Sequence, residues 1–275
     1  MGVTSTRFAK KVEIGAAQRM PSPHKVLDPA HTTTHRAEKL CALAVMTKAP
    51  RAGHVKTRLV PPLTADEAAQ LNACFLRDTA AAIQQVCKAG ARGIGVYTPI
   101  GSETAYAGIL PQEFQLLPQR GNGFGERLAF AVEDLFRCGF GSVCLIDSDS
   151  PTVPADAYEQ AVASLSRPGD RVVLGPSDDG GYYLIGLNKI HRELFEGIDW
   201  STERVFGQTR TRAEDLNLEL AFLPNGYDVD DHGSLNRLFA DLLDDRASSN
   251  LAPHTRQFLV ELVEAGGRER IFAAR

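Results

Sequence analysis

The stretch Val143-Cys-Leu-Ile-Asp147-Ser-Asp149-Ser-Pro151 decides how the rest of this chain reads. Four apolar residues run without a break into two aspartates, and Pro151 stops the run. A short continuous apolar run predicts a strand buried on both faces, the kind found at the centre of a parallel sheet. Ligands of such sheets bind outside the carboxyl ends of the strands, which is where the aspartates fall. In extended chain Asp147 and Asp149 would point to the same side. Two hard oxygen donors there suit Mg²⁺ or Mn²⁺, which would in turn hold phosphate oxygens. The local alternative is an Asx-turn at one aspartate and a helix cap at the other, for a helix starting near Pro154.

On both sides of this strand, apolar runs alternate with amphipathic stretches. Upstream, residues 40–46 predict a first strand, 92–98 a second and 114–117 a third. Thr64-Ala-Asp-Glu67 is a capping-box pattern opening a long helix to about residue 89, which Gly90 ends. A short helix is expected over 101–110 and another over 126–138. Downstream, strands are expected at 171–175, 182–187 and 219–223. Helices are expected at 155–165, from the 200s through Leu216, and at roughly 232–244 and 253–265. Strands alternating with helices predict an α/β fold, with a mainly parallel central sheet and helices on both faces. Residues 40–275 show neither a repeat nor a linker, so one domain is expected.

The 275 residues are 43% hydrophobic and 23% charged, with a formal net charge of -4, so no global basic field points to nucleic acid. Five scattered cysteines without a Cys-x-x-Cys spacing fit a reducing cytoplasm. No apolar stretch reaches the length of a membrane span. Residues 1–39 differ in kind. They carry Arg7, Lys10, Lys11, Arg19, Lys25, Arg36 and Lys39 against Glu13, Asp28 and Glu38, with three prolines and no sustained periodicity. The composition predicts a disordered extension; without an apolar core segment it does not read as a secretory signal, and its acidic residues count against a transit peptide.

The loop Lys48-Ala-Pro-Arg-Ala-Gly53-His-Val-Lys56-Thr57-Arg58-Leu59 follows the first strand, at the same sheet edge as the aspartates. Lysine and arginine beside a glycine suit a polyphosphate, with Lys56 and Arg58 as the first choices and Lys48 next. The Walker A spacing and the Rossmann fingerprint are both absent. Gly121-Asn-Gly123-Phe-Gly125 before a helix offers backbone N–H groups and a positive dipole end to an anion. Trp200, the only tryptophan, reads first as a packing residue and second as the lining of an acceptor pocket. The seven histidines lack zinc spacing.

Taken in order, KAPRAGHVKTRL, DSDSP, GPSDDGGYYLIGL, FEGIDWS and DVDD resemble a bacterial family often described as GT-A-like glycosyltransferases, within the nucleotide-diphospho-sugar transferases. One branch of that family is linked to arsenosugar biosynthesis. The resemblance covers roughly residues 40–245. The Lys-Thr-Arg-Leu segment is also similar to 2-phospho-L-lactate guanylyltransferase, and the layout to the molybdenum-cofactor guanylyltransferases. The resemblance implies a GT-A-like, Rossmann-like fold and a nucleotide substrate. It makes Asp149 the first metal ligand, with Asp147 less secure because many relatives carry a small residue there. It places Asp179, Gly180 and Gly181 at the nucleotide, and implies that Asp228 and Asp230 return to the metal; Asp231 reads equally well as a helix cap.

The expected function is a metal-dependent transferase acting on a nucleotide and a small-molecule acceptor. Nucleotidyl transfer from an NTP is favoured, because two or three fixed cations suit a triphosphate. Lys56, Thr57 and Arg58 would then hold the β and γ phosphates while Mg²⁺ on Asp149 bridges the α phosphate. The alternative is glycosyl transfer from an NDP-sugar. A third possibility, from another class, is a nucleotide-binding regulator without catalysis.

Overall fold

The computed structural model describes residues 22–30, 40–87, 90–244, 250–266 and 270–271. Seven strands form one sheet: β1 (Cys41–Lys48), β2 (Ala91–Thr98), β3 (Gln115–Pro118), β4 (Ser142–Ile146), β5 (Arg171–Pro176), β6 (Tyr182–Leu187) and β7 (Glu219–Phe222). Their order is β3-β2-β1-β4-β6-β5-β7. Around them lie α1 (Ala65–Val86), α2 (Phe124–Arg137), α3 (Ala155–Leu165), α4 (Val205–Asp215), α5 (His232–Leu243) and α6 (Pro253–Gly266). The apolar run of the opening stretch is β4, buried along its whole length and parallel to β1.

The sheet is mainly parallel, as expected, but β6 runs antiparallel to both β4 and β5. The connection between β5 and β6 explains it: residues 177–181 are too few for a crossover, so the chain can only turn back. That turn depends on Gly180, which has φ +85° and lies so close to the backbone of Glu203 that a Cβ would meet its carbonyl oxygen at 2.3 Å.

Side chains alternate across the sheet with period two. Leu43 and Val45 of β1 pack with Leu76 and Ile83 of α1 and Tyr158 of α3. Ala42 and Ala44 pack with Leu128, Val132 and Leu135 of α2. The other side of α1, with Leu71 and Phe75, meets Leu235 and Leu238 of α5 and Leu259 of α6. The capping box is present: Thr64 Oγ1 accepts from Glu67 N–H, and Glu67 accepts from Thr64 N–H at 2.7 Å. The helix expected over 101–110 is only a 3-10 turn at Glu103–Tyr106, between Gly101 and Gly108 in left-handed backbone.

One part of the expected disordered extension needs correction. Residues 22–30 lie along the β3 edge, where Val26 pairs with Leu116 in parallel. Leu27 N–H donates to Leu116 O at 2.7 Å and Leu116 N–H to Lys25 O at 2.9 Å. Leu27 is buried, and His24 Nε2 lies 3.2 Å from the carbonyl oxygens of both Leu110 and Pro111. A strip this short needs no periodicity, because an existing sheet edge supplies its backbone partners. The remainder of 1–39 lies outside the described residues.

Candidate functional site

Three acidic segments meet at one end of the sheet. Because β6 is antiparallel, its first residues lie beside the last residues of β4, and Asp147 N–H donates to Tyr183 O at 2.9 Å. This sets the Asp178–Gly181 turn next to the Asp147–Asp149 segment. After β7 the chain runs back past the turn, where Asp178 N–H donates to Gly226 O and Val229 N–H to Asp149 O. Asp228, Asp230 and Asp231 thus arrive at the end of β4.

The resulting cleft has a volume of about 810 Å³ and two unlike walls. One is acidic: Asp147, Asp149, Asp178, Asp179, Asp228, Asp230 and Asp231 outnumber Arg58 and Arg237. The other is apolar, with Met46, Leu145 and Ile185 from the sheet, Phe124 and Leu128 from α2, and Trp200 from the loop before α4. Phe124 is 53% exposed and meets Trp200 edge-on, with ring centroids 5.1 Å apart. Gly125 makes this possible, since a Cβ there would come within 2.5 Å of Trp200 Nε1.

Lys56 lies beneath the acidic wall. Its Nζ donates to Val229 O and Asp230 Oδ1 and pairs ionically with Asp149 Oδ1, each at 2.8 Å, and its side chain is only 3% exposed. Arg58 Nη2 holds the other Asp230 oxygen at 2.6 Å. Burial acts against the Lys56 ammonium, but Asp149 and Asp230 together outweigh it and hold its pKa above the ordinary value. Burial likewise acts to raise Asp230, and Lys56 and Arg58 overcome it and hold it low. Asp147 is pushed well up by burial and by neighbouring Asp149, against a bond from Ser150 Oγ. Asp228 is pushed up to about 6 by burial and the charges of Asp179 and Asp230.

Of the residues expected at the site, Asp147, Asp149, Asp179, Gly181, Asp228, Asp230 and Arg58 line the cleft. Lys48, Gly53 and Thr57 are exposed and stand outside the lining, as does Gly123, which caps α2. Gly180 serves the turn against Glu203. Lys56, expected on phosphates, has its ammonium between the carboxylates of Asp149 and Asp230. Asp147 and Asp149 do not continue the strand, which ends at Ile146. Neither aspartate caps α3, whose N-cap is Pro154 without a side-chain bond, whereas Asp231 does cap α5. Trp200 both packs and lines the cleft. Sequence reasoning misses Phe124 and also Arg237, which pairs with Asp178 and stacks over Tyr227 at 3.8 Å. A large aromatic just after a glycine cap is the one available signal for Phe124.

Among the described residues no group of three or more His, Cys, Asp or Glu side chains is set to hold a metal ion. The donor chemistry nonetheless suits a hard cation. Two carboxylate oxygens already converge on one cation, the Lys56 ammonium, and further carboxylates surround it.

Comparison with known proteins agrees with this architecture. The model of a family described as "Uncharacterized protein conserved in bacteria (DUF2064)" matches residues 68–202. A solved structure from Desulfovibrio desulfuricans G20, described as a candidate nucleotide-diphospho-sugar transferase, is 30% identical. It superposes with a TM-score of 0.71 over 84% of this chain and 97% of its own. A 4-diphosphocytidyl-2C-methyl-D-erythritol synthase from Anaerococcus prevotii DSM 20548 is a remote likeness, at 11% identity and TM-score 0.47 over 76% and 97% of the two chains. No curated protein matches the sequence. The chain belongs to the DUF2064 family.

Proposed function

We propose that this member of the DUF2064 family is a transferase that draws on a nucleotide, and that its donor is a nucleoside diphosphate sugar. The observation that carries the reading is the division of the cleft, with an acidic pole at the end of β4 beside an apolar and aromatic wall. A diphosphate enters an acidic pole only with its charge offset, so Mg²⁺ or Mn²⁺ belongs to the proposal, with Asp149, Asp228 and Asp230 as the residues to hold it. Such an ion, when bound, offsets charge on the diphosphate as it departs. Arg58, at the cleft and 71% exposed in its side chain, meets phosphate oxygens directly. Phe124 and Trp200 take the flat or apolar part of a substrate and keep water from it. The likeness to the Desulfovibrio protein supports the same substrate class.

Nucleotidyl transfer needs free cations at Lys48, Lys56 and Arg58 to hold a triphosphate. In the fold Lys48 is outside the cleft lining, and Lys56 and Arg58 are both paired with carboxylates. With fewer cations at hand than a triphosphate calls for, the site suits a diphosphate held through a metal better. Transfer from an NTP is the second reading, favoured by Arg237 as a further guanidinium in the lining.

The test is a mass-spectrometric screen of NTPs and nucleotide sugars with a cell extract as acceptor source, with and without EDTA. Free NDP from a nucleotide sugar, abolished by EDTA, is the expected result. Pyrophosphate from an NTP would establish the second reading. Binding without turnover would leave a nucleotide-binding regulator, and no binding of any nucleotide would end the proposal.

A further inference from the structure

We infer that Lys56 is a resident cation: it fills the seat between Asp149 and Asp230 and excludes divalent metal ions from that seat until a nucleotide arrives. Only the last clause rests on the proposed function. The exclusion itself follows from geometry.

Three oxygens stand 2.8 Å from the ammonium: it donates to Val229 O and Asp230 Oδ1, and Asp149 Oδ1 faces it as an ion pair. The side chain is held there by more than its charge. Buried Val55 and Leu59 anchor the loop on either side, and the Phe75 ring centroid lies 5.4 Å from Nζ. The Lys56 backbone is left-handed, with φ 48° and ψ 37°, a conformation disfavoured for any residue with a Cβ. The fold accepts that conformation, and in it the ammonium reaches two carboxylates from segments far apart in sequence.

Charge and distance then act together. Lys56 and Arg58 offset Asp149 and Asp230, so these two carboxylates present no uncompensated charge of their own to a free divalent ion, and only Asp228 and its acidic neighbours attract one to the rim. The carboxylate oxygens stand at ammonium distance, whereas Mg²⁺ needs oxygens at about 2.0–2.1 Å. A metal could take this seat only if Nζ left it and the carboxylates closed in. A phosphate-bearing ligand supplies what a bare ion lacks, an anionic alternative for the displaced ammonium.

A purely structural ion pair would also bury Lys56, so the experiment must separate the two. Mn²⁺ alone, with no nucleotide, is titrated into wild type, Lys56→Met, Asp230→Asn and the double variant, read by water-proton relaxation and by melting temperature. Wild type should bind Mn²⁺ at least tenfold more weakly than Lys56→Met and show no metal-dependent melting shift. Lys56→Met should melt lower than wild type and regain stability with Mn²⁺, and adding Asp230→Asn should remove that response. Wild-type binding of Mn²⁺ that Asp230→Asn abolishes would overturn the proposal, as would a folded Lys56→Met indifferent to Mn²⁺. If Lys56→Met folds only with Mn²⁺ the proposal stands, and if Mn²⁺ fails to rescue an unfolded variant it falls. Because no nucleotide is present, either result is independent of the donor screen.

Discussion

At the cleft the buried partner of the ion pairs is the cation, whereas on α2 it is the carboxylate. Lys56 is 3% exposed while Asp149 and Asp230 keep 32% and 33%. Around α2, Asp134 and Glu133 are 5% and 14% exposed, and Arg120, Arg137 and Arg192 surround them from outside at 41–56%. Arg120 also lies over the Phe130 ring at 3.7 Å. The contrast separates a site from a clamp. Where the cation is enclosed, carboxylate oxygens remain within reach of a ligand. Where the carboxylates are enclosed, their oxygens are committed to the fold. Breaking each cluster should therefore fail in different assays.

The largest effect is expected for Asp149→Asn. It should weaken donor binding roughly 100-fold, about 2.7 kcal/mol, and lower stability by only about 1 kcal/mol, since buried Lys56 keeps Asp230 and the amide oxygen still faces it. Calorimetric titration of the donor beside urea unfolding checks both halves; unaltered affinity would remove Asp149 from the site. Arg120→Ala should do the opposite. It removes two bonds to Asp134, at 2.6 and 2.9 Å, and leaves a buried carboxylate with only Arg137. A stability loss of about 1.5–2 kcal/mol is expected, with donor affinity unchanged in the same titration.

Leu27→Ala touches neither cluster. It should cost about 1.5 kcal/mol, the transfer free energy of a leucine side chain buried at the β3 edge without an enclosed cavity being left. A urea midpoint equal to wild type would show that residues 22–30 add nothing to stability. The smallest effect belongs to the exposed Asp178–Arg237 pair. The bond from Arg237 holds the Asp178 carboxyl below its ordinary value, against slight burial. A lowered carboxyl stabilises the fold above its unfolded pKa and loses that contribution as pH falls through the folded one. Since the two side chains are 45% and 48% exposed, only a few tenths of a kcal/mol should vanish below about pH 4. Urea midpoints across that range should lose this increment in Arg237→Ala.

Several features are legible in the sequence because they are local. The apolar run of β4 and the box at Thr64 and Glu67 act over a few residues, so spacing reveals them. The shared neighbourhood of Asp149, Asp179, Asp228 and Asp230 is reached from the sequence only through the family resemblance, not through any local spacing. The reversal of β6 is also within reach, because a connection of residues 177–181 cannot cross over, yet the alternating pattern hides it. Phe124 and Trp200 read separately as part of a glycine-rich turn and as a packing residue, and only their 5.1 Å contact makes a wall.

By itself the sequence determined most of the elements and their kinds, the turn at Glu103–Tyr106 and the strip at residues 22–30 excepted. Only the tertiary structure decided what each charge is for. Lys56 and Asp230 stand 174 positions apart, and no periodicity relates them. A lysine in a basic loop looks free until the fold brings two carboxylates and a carbonyl to its ammonium. The same holds for residues 22–30, whose partner is the open edge of a strand some ninety positions later. Hydrophobic patterning is written along the chain because burial repeats with backbone geometry. Charge pairing is not, because the energy of an ion pair depends on a distance and a degree of burial that exist only once the chain has folded.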